Sequence, residues 1–189
     1  MKHLLWFVFF AIVIVFNFIR EQQYILIYYT SWTFILETTY FGLQTFKTPQ
    51  LSEIANRIWP FMYAPAIVVC IGFWIIVAPI HFHQQPPENI FLLVVTHGFN
   101  MVAVLTERKI ILTKDIWKPI VYTVVYNLFL VIYVGGGGRS ISGKLPYWYA
   151  QYDKPIGWIF AALATTAVTA VHFIMGSPEP KEELRQCIV

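Results

Sequence analysis

Charge is scarce in this sequence. Only 12% of the 189 residues are Asp, Glu, Lys or Arg, about half the share of an average soluble domain, so there is too little polar side chain to cover a water-facing globule. A membrane protein is expected. There is no basic run either: the net charge of +3 is spread along the chain, which argues against nucleic acid as a partner. Cysteine is limited to Cys70, inside an apolar run, and Cys187, in a polar tail. No disulfide framework is readable, and the two are expected to be unpaired thiols. No small-x-small cleavage site follows the first apolar run, only Asn17, Arg20 and Glu21; it is expected to be an uncleaved span rather than a signal peptide. Internal repeats and low-complexity segments are missing, and with them any alternating-access signature of a transporter. Gly135 to Gly138 lack the lysine and spacing of a phosphate-binding loop, so they read as the release of a helix into a flexible loop.

What is present is apolar length. Six stretches approach the roughly 17 to 25 residues needed to cross a bilayer, near residues 4–19, 24–45, 59–82, 90–107, 118–135 and 156–175. The expected fold is all-α, a polytopic bundle of six transmembrane helices over residues 1–176, followed by a polar tail, 177–189. The breaks are chemically legible. Arg20-Glu21-Gln22-Gln23 is a tight polar turn, Lys47 to Arg57 a loop with a helix start at Ser52, and Pro86-Pro87 cannot continue a helix. Six crossings put both termini on one face. That face holds Lys2, Lys47, Arg57, Arg108, Lys109, Lys114, Lys118, Lys181 and Arg185, against Arg20, Arg139, Lys144 and Lys154 on the other. The positive-inside rule then places the termini on the cytoplasmic or equivalent side.

Polar groups inside the spans carry the functional question. Glu37 near the middle of the second span would cost about 2.5 to 3.5 kcal/mol against lipid, so it should face protein or a water-filled cavity. Thr30, Thr33 or Phe34, and Glu37 share one helical face; His97, Asn100 and Met101 share another on the fourth span. The two spans run in the same direction. Counted from the less basic face, Thr30 and His97 lie at about 9 and 10.5 Å, and a threonine becomes a nucleophile once a base takes its proton. A threonine bonded back to its own helix, with a histidine serving only as interhelical glue, would leave the same pattern. His172, on the sixth span, would allow a haem between itself and His97. His81 and His83 flank Phe82 and point to different faces, so they suit the membrane interface better than a metal. No metal site or cofactor is expected. After the glycines, LPYWYAQYDKPIGW is dense in Tyr and Trp; it reads as an aromatic belt or as a lid over a lipid-access site.

These residues resemble the superfamily that contains the androgen-induced gene product, the androgen-dependent regulator of tissue factor pathway inhibitor and the rolling stone proteins. TSWTFILETTYFG, Thr30 to Gly42, is similar to the second-span signature; Phe73-Trp74 resembles the Phe-Trp pair of the third; VTHGFNMVAVLTE, Val95 to Glu107, resembles the histidine span. Tyr126 to Tyr133, the glycines and YWYAQYDKPIGW look most like rolling stone proteins, which are associated with cell fusion. The resemblance implies a six-span bundle and, for the androgen-regulated members, a threonine hydrolase of lipid esters such as fatty acid esters of hydroxy fatty acids. By position it makes Thr30 the nucleophile and His97 the general base. Two features depart from those hydrolases: His81-Phe82-His83-Gln84 stands where they carry a charged motif, and Val94 replaces an additional histidine.

The leading expectation is an integral, multi-pass membrane hydrolase of lipid esters with Thr30 and His97 as catalytic residues and Glu37 and Asn100 in support. Its partners would be membrane lipids and a lipid-ester substrate, in an endomembrane or the plasma membrane. The second expectation keeps the fold without the chemistry: a non-catalytic subunit or scaffold among other membrane proteins, for which the mitochondrial inner membrane is the alternative location.

Overall fold

The computed structural model describes residues 1–81, 87–107 and 109–177. Among them there is no strand, and the chain is a bundle of helices. α1 is Lys2–Glu21, α2 Tyr29–Phe46, α3 Pro49–Gly72, α4 Pro87–Thr106, α5 Trp117–Gly135 and α6 Pro155–Met175. Four segments are long and apolar enough to cross a membrane: Lys2–Arg20, Pro49–Ile76, Thr113–Gly135 and Pro155–Met175, with a shorter apolar stretch at Leu93–Thr106. The expectation of six apolar spans is thus met in full by four; α2 carries too many polar side chains to qualify on hydropathy. The tail from Pro178, with Cys187, lies outside the described residues, as do the side chains of His81 and His83.

α3 is the central rod and packs against α2, α4, α5 and α6. In Pro49–Ile76, 61% of the most apolar 18-residue stretch is buried, against 11% in Lys2–Arg20 and in Pro155–Met175. α1 and α6 therefore present their apolar surface outward, as lipid-facing helices do, while α3 supplies the core with Trp59, Met62, Tyr63, Ala64 and Ala66. Small residues bring neighbours close; a side chain at Gly42 would stand 3.1 Å from the Phe7 ring of α1.

Three helix boundaries differ from the sequence expectation, each for a local reason. α3 starts at Pro49 rather than near Ser52, because the Thr48 hydroxyl accepts from the Leu51 N–H at 3.3 Å and Pro49 occupies a position where its missing N–H costs nothing. Beyond Gly72 the rod widens into a π-turn, Phe73–Val77, in which Ala78 N–H reaches back to Phe73 O. Pro79 lies four residues past Ile75 and can give its carbonyl no N–H, so the wider turn relieves the clash a straight helix would suffer there. The third difference concerns α2. Gln22 turns out of α1 with φ of 52°, a 3₁₀ turn over Gln22–Ile27 buries Ile25 and Ile27, and extended Tyr28 is the N-cap. α2 consequently begins at Tyr29, five residues later than the apolar run.

The connection from α5 to α6 is well tied. Gly137, at φ of 85°, turns the chain out of α5, and Gly138 sits so close to Tyr133 that a Cβ would be 2.5 Å from its carbonyl oxygen. Tyr133 OH donates to Arg139 O at 2.6 Å, and Ser140 N–H to Lys144 O at 2.8 Å. At the opposite end, α6 is pinned to the segment before α5 by a short parallel bridge, in which Ser177 N–H donates to Ile111 O and Thr113 N–H to Ser177 O.

Candidate active site

The late start of α2 decides what Thr30 can do. A threonine within a helix usually donates back to the carbonyl four residues earlier, and on α2 Thr33, Thr38, Thr39 and Thr45 all do so. For Thr30 that carbonyl belongs to Leu26, which lies before the helix and already accepts from the Trp32 indole at 2.7 Å. The hydroxyl turns outward instead. Thr30 Oγ1 lies 3.4 Å from His97 Nε2.

His97 is held in one orientation. Its Nδ1 lies 2.9 Å from Leu93 O, one turn earlier on α4, and 3.0 Å from Thr96 Oγ1. The carbonyl can only accept, so the proton sits on Nδ1 and leaves Nε2 with its lone pair toward Thr30. Phe73, from the π-turn of α3, stacks flat on the imidazole at 3.9 Å between ring centroids and 11° between planes. The expected pairing is present; Thr30 is the second residue of α2 and His97 the eleventh of α4, so the two helices begin at different levels.

Both side chains line a cavity of about 760 Å³, whose walls also include Phe34, Phe73 and Leu93 and, from the α5–α6 connection, Tyr147, Trp148 and Tyr149. That volume suits a drug-sized or acyl-chain ligand. The aromatic segment covers the cavity as a lid would. It is fastened to the helix that carries Thr30, because Tyr29 N–H donates to Tyr147 OH at 2.9 Å. Burial, followed by the repulsion of neighbouring phenols, pushes the Tyr149 hydroxyl well above its ordinary pKa, and Tyr152 up to about 12. These phenols stay neutral at any ordinary pH. Arg20, Arg139 and Lys144 also line the cavity, and no carboxylate stands among its described wall residues.

No known family profile, curated protein or solved structure matches this chain. The site is therefore read from its own chemistry and from the motif resemblance.

Glu37 and Asn100 do meet, yet away from the cavity. With its amide nitrogen facing Glu37, Asn100 donates to Glu37 Oε2 at 3.3 Å and to Thr96 O at 3.2 Å. Both are fully buried, and Glu37 Oε1 has no partner among the described groups. Neither touches Thr30 or His97, so the expected supporting role reduces to holding the α4 backbone beside His97. The haem alternative is overturned by His172, whose Nδ1 lies 2.6 Å from Tyr63 OH and whose Nε2 lies 3.1 Å from Leu112 O. Neither nitrogen is open to an axial ligand. Among the described residues no cluster of His, Cys, Asp or Glu could hold a metal.

One residue of the site escaped the sequence reading. Ser31 lines the cavity beside Thr30 and is only 7% exposed. Its backbone N–H donates to Tyr28 O at 3.0 Å, and its hydroxyl has no hydrogen-bond partner among the described residues. Helical periodicity groups residues three and four apart, so a functional neighbour at the next position leaves no trace in the pattern.

Proposed function

We propose that the protein is an integral membrane hydrolase of lipid esters in which Thr30 is the nucleophile and His97 the general base. All six helices cross the bilayer in this reading, with both termini on the cytoplasmic-equivalent face. The sorting of cations supports it. Lys2 and Lys109 gather near Glu107 and Asn56 at one end, while Arg20, Arg139 and Lys144 meet at the cavity.

The observation that carries the chemistry is the Thr30–His97 contact on a cavity wall, with the histidine's other nitrogen committed to Leu93 O. At 3.4 Å it is longer than a catalytic hydrogen bond of about 2.6 to 3.2 Å, as such contacts often are before substrate binds. Thr30 Oγ attacks the ester carbonyl while its proton passes to His97 Nε2. The tetrahedral adduct collapses, the C–O bond to the alcohol breaks, and the alcohol leaves with that proton. Water, deprotonated by His97, then attacks the acyl-threonine and releases the carboxylic acid and the free hydroxyl. The Leu93 carbonyl fills the orienting place that a carboxylate has in a Ser-His-Asp triad. Ser31, on the cavity wall beside Thr30, would donate to the carbonyl oxygen as charge develops on it.

The test is labelling of the purified, detergent-solubilised chain with a fluorophosphonate. Wild type is expected to label at Thr30, with labelling lost in Thr30→Ala and His97→Ala. Absence of labelling in folded wild-type protein would count for the assembly-subunit reading instead.

A further inference from the structure

Between Leu4 and Ile19 the apolar run of α1 is interrupted by one carboxamide, Asn17. It continues the inward stripe of the helix. His3, Trp6, Phe10, Val13 and Asn17 follow one another at spacings of three and four; Phe10 and Val13 are buried, whereas Phe16 and Phe18 on either side of Asn17 are exposed. Asn17 thus faces the protein, and it lines the cavity of Thr30 and His97. Its amide has no hydrogen-bond partner among the described residues, so it does not serve as the interhelical glue that a polar side chain in a span commonly provides. A second carboxamide lines the same space. Gln151, from the α5–α6 connection, donates through its nitrogen to Trp148 O at 2.9 Å, and its oxygen accepts from no described residue. The level of Asn17 follows from the packing of α1 on α4. The two run antiparallel, with Lys2 beside Glu107 at one end and Phe9 on Phe99 at 5.1 Å between ring centroids. From that contact Asn17 is eight residues toward the Arg20 end on α1, and His97 two residues the same way on α4. Asn17 therefore stands about 9 Å farther out than His97, near the end of its span.

We propose that Asn17 and Gln151 bind the free hydroxyls of a polyol ester, so that the substrate is a neutral glycerol ester of a fatty acid. Its ester carbonyl lies at Thr30 and its hydroxyls point outward, toward the membrane surface. The proposal rests on the hydrolase reading for which bond is cut, while the binding of the hydroxyls stands without it. A hydroxyl both gives and takes hydrogen bonds, as a carboxamide does; an anionic group only accepts and would leave both amide oxygens unanswered. The outward offset of Asn17 is what a glycerol unit and a hydrogen bond beyond it can span. It keeps the hydroxyls at head-group level, beside half-exposed Trp148, and the acyl chain against Phe34, Phe73 and Leu93.

The experiment measures binding rather than turnover, using the full chain as the Thr30→Ala variant in detergent micelles. The probes are a 1-acylglycerol with a fluorescent fatty acyl chain and the methyl ester of the same acid. The glycerol ester is expected to bind roughly tenfold more tightly, as two neutral hydrogen bonds would give. Comparing the ratio of the two affinities between variants cancels partitioning into the micelle. Asn17→Leu completes the apolar run of α1 and so favours the span; it is expected to lower the ratio about threefold, and Asn17→Leu with Gln151→Leu to bring it near one. Asn17→Gln keeps the amide and is expected to keep the preference. Equal affinity for the two probes, a ratio that Asn17→Leu does not lower, or a loss as complete in Asn17→Gln as in Asn17→Leu would overturn the proposal. Free glycerol that displaced the probe at equal concentration would assign the site to a soluble polyol and overturn the lipid assignment. Because the readout is binding, a failure to label with fluorophosphonate would sink the hydrolase reading and leave this result untouched.

Discussion

Two hydroxyls, Thr30 and Ser31, open onto the same cavity wall, and the base reaches one of them. His97 Nε2 faces Thr30 Oγ1, whereas the Ser31 hydroxyl has no hydrogen-bond partner among the described residues; a proton can leave Thr30 directly and Ser31 only through solvent. Peptide mapping of the fluorophosphonate adduct is therefore expected to find Thr30 modified, and an adduct on Ser31 would reverse the two roles. Thr30→Ser keeps the attacking oxygen and is expected to hold kcat/KM within about tenfold, while His97→Ala removes the base and lowers it by about a hundred- to ten-thousand-fold. Ser31→Ala takes away one donor to the oxyanion, for which roughly a hundredfold loss in kcat is expected with little change in KM. A loss confined to KM would mean that Ser31 only shapes the cavity. Steady-state kinetics on one soluble ester decides among these.

At the level of elements, the site depends on how α2 begins. The 3₁₀ turn, the extended Tyr28 and the lid tyrosine together place Thr30 at the helix start, where its hydroxyl has no helical carbonyl to return to. Tyr147→Phe keeps the aromatic cover and deletes only the hydroxyl that accepts from Tyr29 N–H. The expected stability cost is about 1 kcal/mol, read as a modest drop in thermal unfolding temperature in detergent. A larger fall in kcat/KM than Ser31→Ala produces would show that the lid sets the position of Thr30; unchanged kinetics would reduce Tyr147 to packing. Much of this level was legible in the sequence, since apolar length marks the helices and period-three spacing put Thr30 and His97 on facing stripes. The 3₁₀ turn was not, because Tyr24 to Ile27 is as apolar as the helix that follows and only the burial of Ile25 and Ile27 distinguishes it. Glu37 and Asn100 lie on the right stripes but deeper than the cavity reaches, a distinction that a helical repeat alone does not carry.

Across the whole molecule the two ends of the bundle hold opposite kinds of charge arrangement. One gathers Arg20, Arg139 and Lys144 around a cavity. The other gathers partners around Glu107, just past the last helical residue of α4, where Tyr40 OH donates to Oε2 at 2.8 Å and Lys2 Nζ lies 3.1 Å from Oε1. His3 Nε2 stands 3.2 Å from the same oxygen, and Lys109 Nζ sits 4.7 Å over the Tyr40 ring. This cluster ties α1, α2 and α4 together, and sequence could not show it because its members are as much as 107 residues apart, from Lys2 to Lys109. Burial alone would push the Glu107 carboxyl up; the Tyr40 hydroxyl, Lys2 and the charge of a protonated His3 outweigh it and hold the carboxyl below its ordinary range. A carboxyl with a depressed folded-state pKa contributes stability that is present above its unfolded pKa, about 4.3. That contribution fades as pH falls through the lower, folded value. Thermal unfolding in detergent between about pH 7 and pH 3 is expected to show the wild type losing stability most steeply below about pH 4. Glu107→Gln should be less stable at neutral pH by about 1 kcal/mol, because half-exposed Lys2 lends little and the tyrosine bond is weakened. The two curves should converge in acid, where the native carboxyl is protonated too. Parallel curves across the whole range would mean that Glu107 acts through packing and that the end of the bundle is not held by its charge.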